Sequence, residues 1–177
     1  MKKIYYKKDE KYLFVDGYNI INSWEKLKNL SSQNLEDTRQ KLMDEMSEFA
    51  IFTGESVILV FDGYMVKKSP GAIYKYKGIL VVYTKEFETA DHFIEKELHE
   101  IGRLRQVRVA TSDNVEQQMI LSRGGTRISA RELEIEVENV KNNINKKSVE
   151  LKNSNQKINA IDDKTLEKLE KLKEKIN

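Results

Sequence analysis

Apolar and polar positions along the chain change period several times. "YLFV" is a short apolar run that ends at Asp16, and "SVILVF" is another that ends at Asp62. "GILVVYT" and "VRVATS" repeat the pattern, the second ending at Asp113, and "GGTRIS" supplies a last short run after a glycine turn. Between these runs the spacing becomes helical. A polar stretch rich in Asn and Ser leads to a predicted helix from Leu35 to Phe52. A second helix is predicted from Thr89 to Leu104, amphipathic through Ala90, Phe93, Ile94, Leu98 and Ile101. A short one carries Val115, Met119 and Ile120. A further helix opens on Ser129 and Glu132, the spacing of a capping box, and lines Leu133, Val137, Val140 and Ile144 along one face. Strands alternating with helices predict a parallel sheet, and near-continuous apolar strands predict that both sheet faces are covered. The expectation is an α/β fold: a Rossmann-like three-layer sandwich around a central, mostly parallel sheet, with a C-terminal helical extension.

The pattern fades at both ends. Residues 1–11 form a basic lead-in. From about Asn142 the sequence turns polar and rich in Asn and Lys, which predicts a linker or irregular extension. The final stretch places Leu166, Leu169, Leu172 and Ile176 on one helical stripe, to pack on the domain or to meet a partner. The division expected is 1–11, 12–147 for the globular domain, and 148–177 for the linker and last helix.

Three runs share one peculiarity, an aspartate directly after the strand. Taken singly, Asp16, Asp62 and Asp113 read as turn residues or helix caps. In an open parallel sheet, however, the carboxyl ends of the strands share one edge, where ligands bind, so three caps become one acidic cluster. Asp91, in the first turn of the helix after "VVYT", would join them, and Glu95 follows on the same helical face. Such carboxylates repel one another and require cations or protons. An oxygen-only donor set favours a hard ion, Mg2+ or Mn2+, which lowers the pKa of bound water and stabilises charge on a phosphoryl oxygen. Asn19 could orient a water or a phosphate, or simply cap the next element. Arg39 falls on the same face as Leu35, Leu42 and Met46, either snorkelling outward or aiming its guanidinium at the carboxylates or a phosphate. His92 and His99 read as surface residues on a charged helix.

Composition narrows the field. With 31 Lys and Arg against 29 Asp and Glu the net charge is only +2, so contact with a polyanion would rest on local patches. The absence of cysteine removes disulfides, zinc ribbons and thiol nucleophiles. Apolar runs are strand-sized, so the expectation is a soluble, cytoplasmic chain with no membrane role. One local patch stands out at residues 63–78, where Lys67, Lys68, Lys75 and Lys77 alternate with Tyr64, Tyr74 and Tyr76 in what reads as a long loop. Rings of this kind stack bases while lysines meet phosphates, although a solvated loop would carry lysines too. "RLRQVRV", with Arg103, Arg105 and Arg108, is a second basic patch expected at the opposite sheet edge.

"FVDGYNII", "VFDG", "ETADHFIEKEL" and "VATSDN", in this order, resemble the NYN domains, in particular the YacP-like family of the PIN-like nuclease superfamily. The resemblance spans Tyr12 to Lys147. It implies a divalent-metal-dependent endoribonuclease acting on RNA. It further implies mRNA as substrate and the ribosome as partner, because the family includes ribosome-associated mRNA-decay nucleases. By block, it implies metal-site roles for Asp16, Asp62, Asp91 and Asp113 with Asn19 as accessory, while Glu95 and Arg39 match less closely. The rival is a non-catalytic RNA- or ribosome-binding module of the same fold. Other acidic-edge folds fit poorly: Gly17 and Tyr18 stand where a phosphorelay receiver wants an acidic pair and a haloacid-type phosphatase its second aspartate. Nor is Asp16-Gly17-Tyr18-Asn19 the glycine-rich turn of a dinucleotide site.

Overall fold

The computed structural model describes residues 3–63, 71–101, 106–111 and 125–173, with side chains up to 151. The chain divides into two compact units, Met1–Glu138 and Asn139–Asn177.

The first unit is built on a six-stranded sheet: β1 (Tyr12–Asp16), β2 (Ser56–Phe61), β3 (Ala72–Tyr76), β4 (Ile79–Tyr83), β5 (Val107–Ala110) and β6 (Thr126–Ile128). Their order is β3-β4-β2-β1-β5-β6. Every neighbouring pair is parallel except the hairpin β3–β4. Burial on both faces explains the unbroken apolar runs: all of β1 and all of β2 beyond Ser56 are buried. Tyr12, Phe14, Ile58, Val60, Val82, Val107 and Val109 form one core with Ala90, Phe93, Ile94, Leu98 and Ile101 of α4 (Ala90–Ile101). Helices α1 (Gly17–Ser23), α2 (Glu25–Ser31) and α3 (Leu35–Thr53) belong to the other layer, where Tyr18 meets Phe61 edge to face with centroids 5.4 Å apart. The expected three layers and mostly parallel sheet are therefore present.

Local signals set the element ends. Asn34 caps α3 by accepting from the backbone N–H groups of Glu36 (2.9 Å) and Asp37 (3.2 Å), and Gly54 ends it in the left-handed conformation at φ 73°. The capping box is formed as expected: Ser129 N–H donates to the Glu132 carboxylate at 2.7 Å, and Glu132 N–H to Ser129 Oγ at 3.2 Å. It opens α5 (Ala130–Lys173). Leu133 and Val137 are buried, whereas Ile144 is exposed.

Four sequence expectations change. The Asn- and Ser-rich stretch after Asp16 is helical, as α1 and α2, because Ile20, Ile21, Trp24 and Leu27 bury themselves at helical spacing. Trp24 Nε1–H also donates to the Ala130 carbonyl at 2.8 Å, fixing the start of α5. The second half of the supposed loop 63–78 is β3, closed onto β4 by a two-residue turn with Lys77 at φ 41° and Gly78 at φ 95°. The polar stretch after Asn142 is helical rather than irregular, since no Gly or Pro interrupts it and Asn costs a helix only about 0.7 kcal/mol or less per residue. Leu166, Leu169 and Leu172 accordingly fall in helical backbone, and Ile176 lies outside the described residues. Finally, the lead-in is part of the fold, with Ile4 and Tyr6 packed on the α4 core and the Tyr6 hydroxyl donating to Glu97 at 2.5 Å. The short helix expected at Val115, Met119 and Ile120 lies outside the described residues, as do Leu104 and the residues before it back to 102.

Candidate functional site

Strand order creates the site before any side chain does. The chain leaves β1 toward β2 on one side and returns to β5 on the other, so β1 is the strand at which the direction of winding reverses. A crevice opens at the carboxyl end of such a strand, and Asp16 is the last residue of β1. Register aligns Asp16 with Val60 of β2 and Phe61 with Tyr83 of β4, which brings Asp62 and Thr84 to the same edge.

Asp16 is 7% exposed and does two jobs. Its Oδ1 accepts the Asn19 N–H at 3.0 Å, so it is the N-cap of α1, and it also faces the acids. Both readings of the sequence hold for the same side chain. Asp62, half-buried, accepts the Ala90 N–H at 2.5 Å, which ties the end of β2 to the first turn of α4. Thr89 Oγ1 accepts the His92 N–H there at 3.2 Å. Asp91, on that same first turn, is close enough for its charge to repel both Asp16 and Asp62. Asp16, Asp62 and Asp91 thus lie at one end of the sheet, within range of one another's charge.

The electrostatics follow from this crowding. The Asp16 carboxyl is pushed up to about 7, first by burial and then by the charges of Asp91 and Asp62, against the lowering effect of the Asn19 N–H. Asp62 is raised too, by burial and by Asp91, with the Ala90 N–H opposing. The positive end of α4 offsets part of the repulsion. Such a site is short of positive charge.

Glu95 is half-buried one turn beyond Asp91, while His92 and His99 are exposed on α4. Asp113 lies outside the described residues. Among the described residues no group of three or more His, Cys, Asp or Glu side chains stands in place to hold a metal ion. The donors that do converge are all carboxylate oxygens, and Mg2+ commonly binds through one or two carboxylates and several waters, so the residues fit a hard, water-rich ion. They do not fit a soft or borderline one.

Asp16 and Asp62 are each followed by a glycine that the packing demands. A Cβ on Gly63 would stand 1.9 Å from the Thr84 carbonyl oxygen, and one on Gly17 would stand 2.3 Å from the Phe61 ring. Gly63 N–H donates to Thr84 Oγ1 at 2.8 Å, and Thr84 Oγ1 in turn donates to the Glu88 carbonyl. Thr84 thus steadies the Asp62-Gly63 corner, a role that sequence reading missed. Its signal was a polar residue closing an apolar strand, as in "VVYT".

Arg39 neither snorkels nor bonds the site acids. It is 9% exposed, so it does not snorkel, and its terminal nitrogens donate to the Tyr18 hydroxyl at 2.8 Å and to Glu36 rather than to the site acids. Its guanidinium carbon lies 6.0 Å from the centre of the Tyr83 ring. Tyr83 stacks on Phe61 (5.3 Å) and on Tyr74 (6.3 Å), giving an aromatic row across β2, β4 and β3.

The basic segment is divided by the hairpin. Ala72 pairs with Tyr83 at the acidic edge, whereas Tyr76 pairs with Ile79 at the other, so Lys75, Tyr76 and Lys77 lie away from the acids. The Tyr76 hydroxyl and Lys77 Nζ both bind Asp44 of α3, each at 2.7 Å, and Gln40 donates to Tyr76 as well. Lys75 is exposed, and Tyr64, Lys67 and Lys68 lie outside the described residues. Of the second patch, Arg103 and Arg105 lie outside them too. Arg108 sits near the amino end of β5, where Glu136 (2.9 Å) and Glu55 (3.1 Å) neutralise it, so it adds nothing to a basic surface.

The family model of the YacP-like NYN domain matches residues 13–174. The YacP protein of Bacillus subtilis (strain 168) is 41% identical over 136 residues, which cover 76% of this chain and 79% of that protein. A crystal structure of Rae1 (YacP) from Bacillus subtilis superposes with a TM-score of 0.69 at 35% identity, covering 92% of this chain and 94% of the other. A crystal structure of a mutant of the same protein gives 0.68 at 39% identity, over 77% and 80% of the two chains.

Proposed function

The chain belongs to the YacP-like NYN domain family, a nuclease-type, RNA-related group, and on that premise we propose that it is a divalent-metal-dependent endoribonuclease. The substrate in this reading is mRNA, free or on the ribosome, in the cytoplasm. No described helix is long and apolar enough to cross a membrane. The observation that carries the reading is the shared edge at which β1, the strand where the winding reverses, ends in Asp16 and β2 leads into Asp62, with Asp91 close enough to repel both.

Asp16, Asp62, Asp91 and Asp113 would hold Mg2+ or Mn2+, with Glu95 as a further oxygen donor one turn along α4. Such an ion, when bound, supplies an activated water and neutralises charge on the phosphoryl oxygens. The chain's own groups do the rest. Asn19 is held next to Asp16 by the cap of α1, where its amide can orient a water or a phosphate oxygen. The Ala90 N–H fixes the Asp62 carboxylate in one orientation. Tyr74, on the row that Arg39 supports through Tyr83, offers a ring to a base, and Lys67, Lys68 and Lys75 offer charge to the backbone. Tyr76 and Lys77 would contribute only by giving up Asp44.

The test is cleavage of RNA, free and ribosome-bound, with Mg2+, with Mn2+ and with chelator. Asp91→Asn and Asp113→Asn should abolish cleavage while RNA binding holds or tightens, since removing negative charge cannot weaken attraction to a polyanion. A second reading, a binding module without catalysis, is favoured by the lack of a three-carboxylate metal cage among the described residues. Wild-type cleavage that is indifferent to metal and to both substitutions would leave only that reading.

A further inference from the structure

The turn between β4 and α4 displays Phe87 with 95% of its surface exposed. This is a fixed turn. Glu88 N–H donates to the Lys85 carbonyl at 2.9 Å, and the Thr84 hydroxyl donates to the Glu88 carbonyl. Both ends are fastened to the acidic corner: Gly63 N–H donates to Thr84 at 2.8 Å, and Ala90 N–H donates to Asp62 at 2.5 Å. Phe87 stands three residues from each fastening, so the chain holds it within about 10 Å of Thr84 and of Ala90, the two residues bonded to the Asp62-Gly63 corner.

A large ring held in water beside an acidic edge calls for an occupant. A protein partner would use a contiguous apolar patch with several anchors, but the neighbours Lys85, Glu86 and Thr89 are exposed and polar. The Glu86 and Glu88 side chains disfavour a phosphate at the ring itself. What fits a lone, flat, uncharged surface flanked by carboxylates is the face of an unpaired nucleobase. We propose that Phe87 is a base-stacking residue, which receives one unpaired base of the RNA strand whose phosphate lies at Asp16, Asp62 and Asp91. This rests on the ribonuclease reading and deepens it, because stacking at this turn makes single-stranded RNA the substrate form and fixes the strand's register.

Equilibrium binding of a single-stranded RNA oligonucleotide in Mg2+, with every chain compared carrying Asp113→Asn so that nothing is cut, tests it. Phe87→Ala should weaken binding roughly 5- to 150-fold, the equivalent of about 1–3 kcal/mol for one stacked base, with the salt slope unchanged because no phosphate contact is lost. Phe87→Trp should restore affinity and Phe87→Leu should not, since leucine keeps the apolar area but not the flat face. Replacing bases one at a time by abasic sites should find a position at which wild type and Phe87→Ala bind alike. Because the side chain is exposed, melting temperatures should match across the variants, and a fall would be visible separately. Affinity unchanged in Phe87→Ala, or fully kept in Phe87→Leu, overturns stacking while the nuclease reading stands. Loss of ribosome association with RNA binding intact overturns it in favour of a protein contact. A wild-type chain that neither binds nor cuts RNA overturns both readings.

Discussion

Asp16→Asn should abolish cleavage and yet make the metal-free protein more stable. The substituted side chain can still accept the Asn19 N–H that Asp16 accepts at 3.0 Å, so the cap of α1 survives and only the charge is lost. Burial and the neighbouring Asp91 and Asp62 raise this carboxyl from 3.8 to about 7 in the folded chain. A group raised on folding contributes stability that is complete below its unfolded pKa and is lost as pH climbs through the folded one. At 1.36 kcal/mol per pH unit, ionised Asp16 costs the fold about 4 kcal/mol at pH 8, of which roughly 2–3 kcal/mol is incurred between pH 5 and 8. For a chain of this length that corresponds to a rise in melting temperature on the order of 10 °C at pH 8. Urea unfolding of wild type and variant, in chelator at pH 5 and pH 8, measures both the offset and its slope. Millimolar Mg2+ or Mn2+ should stabilise wild type more than the variant, because the ion binds the folded acids. A variant no more stable than wild type at pH 8, or one with the same pH slope, would refute the account of the acids as a crowded, cation-seeking cluster.

Gly63→Ala should cost about 3 kcal/mol or more and abolish cleavage, because its Cβ would overlap the Thr84 carbonyl at 1.9 Å; thermal unfolding and a cleavage assay check it. Trp24→Phe should lower stability by about 1–3 kcal/mol in chemical denaturation, since a smaller aromatic ring remains but the Ala130 carbonyl loses its 2.8 Å donor. Replacing Lys67, Lys68 and Lys75 with alanine should weaken RNA binding and flatten its salt dependence by roughly 0.7 log units per lost phosphate contact, measured by titration at several salt concentrations. An unchanged slope would place the strand elsewhere.

What could be read in advance was whatever one element states by itself. Strands buried on both faces announce themselves as "SVILVF" or "YLFV", and the aspartates that end them follow from the shared edge of a parallel sheet. Elements supported by distant partners were harder. The helices after Asp16 look polar in sequence because few residues, Tyr18, Ile20, Ile21, Trp24 and Leu27, carry the packing. β3 is an edge strand whose pattern of exposed and half-buried residues has no long apolar run, so its lysines and tyrosines read as a loop. Arg39 was recognised as misplaced on an apolar face, but its partners Tyr18 and Tyr83 lie 21 and 44 positions away, and no local rule joins them. Phe87 drew no attention, because a single exposed phenylalanine is unremarkable until a fold puts it beside the acids.

The central place of β1 also governs when the molecule becomes whole during synthesis. Once β1 and then β2 have left the ribosome, β2 can pair with one side of β1. The other side waits for β5, which begins at Val107. At about 5–20 residues per second, that delay is roughly 5 to 20 s. Through this interval an apolar strand that is fully buried in the finished protein presents an unpaired flank, and α4 has no complete floor. An unpaired flank of this kind is a template for strand pairing with another chain until β5 covers it. The same delay means that the edge carrying Asp16 and Asp62 is not flanked by β5 until most of the domain has been made.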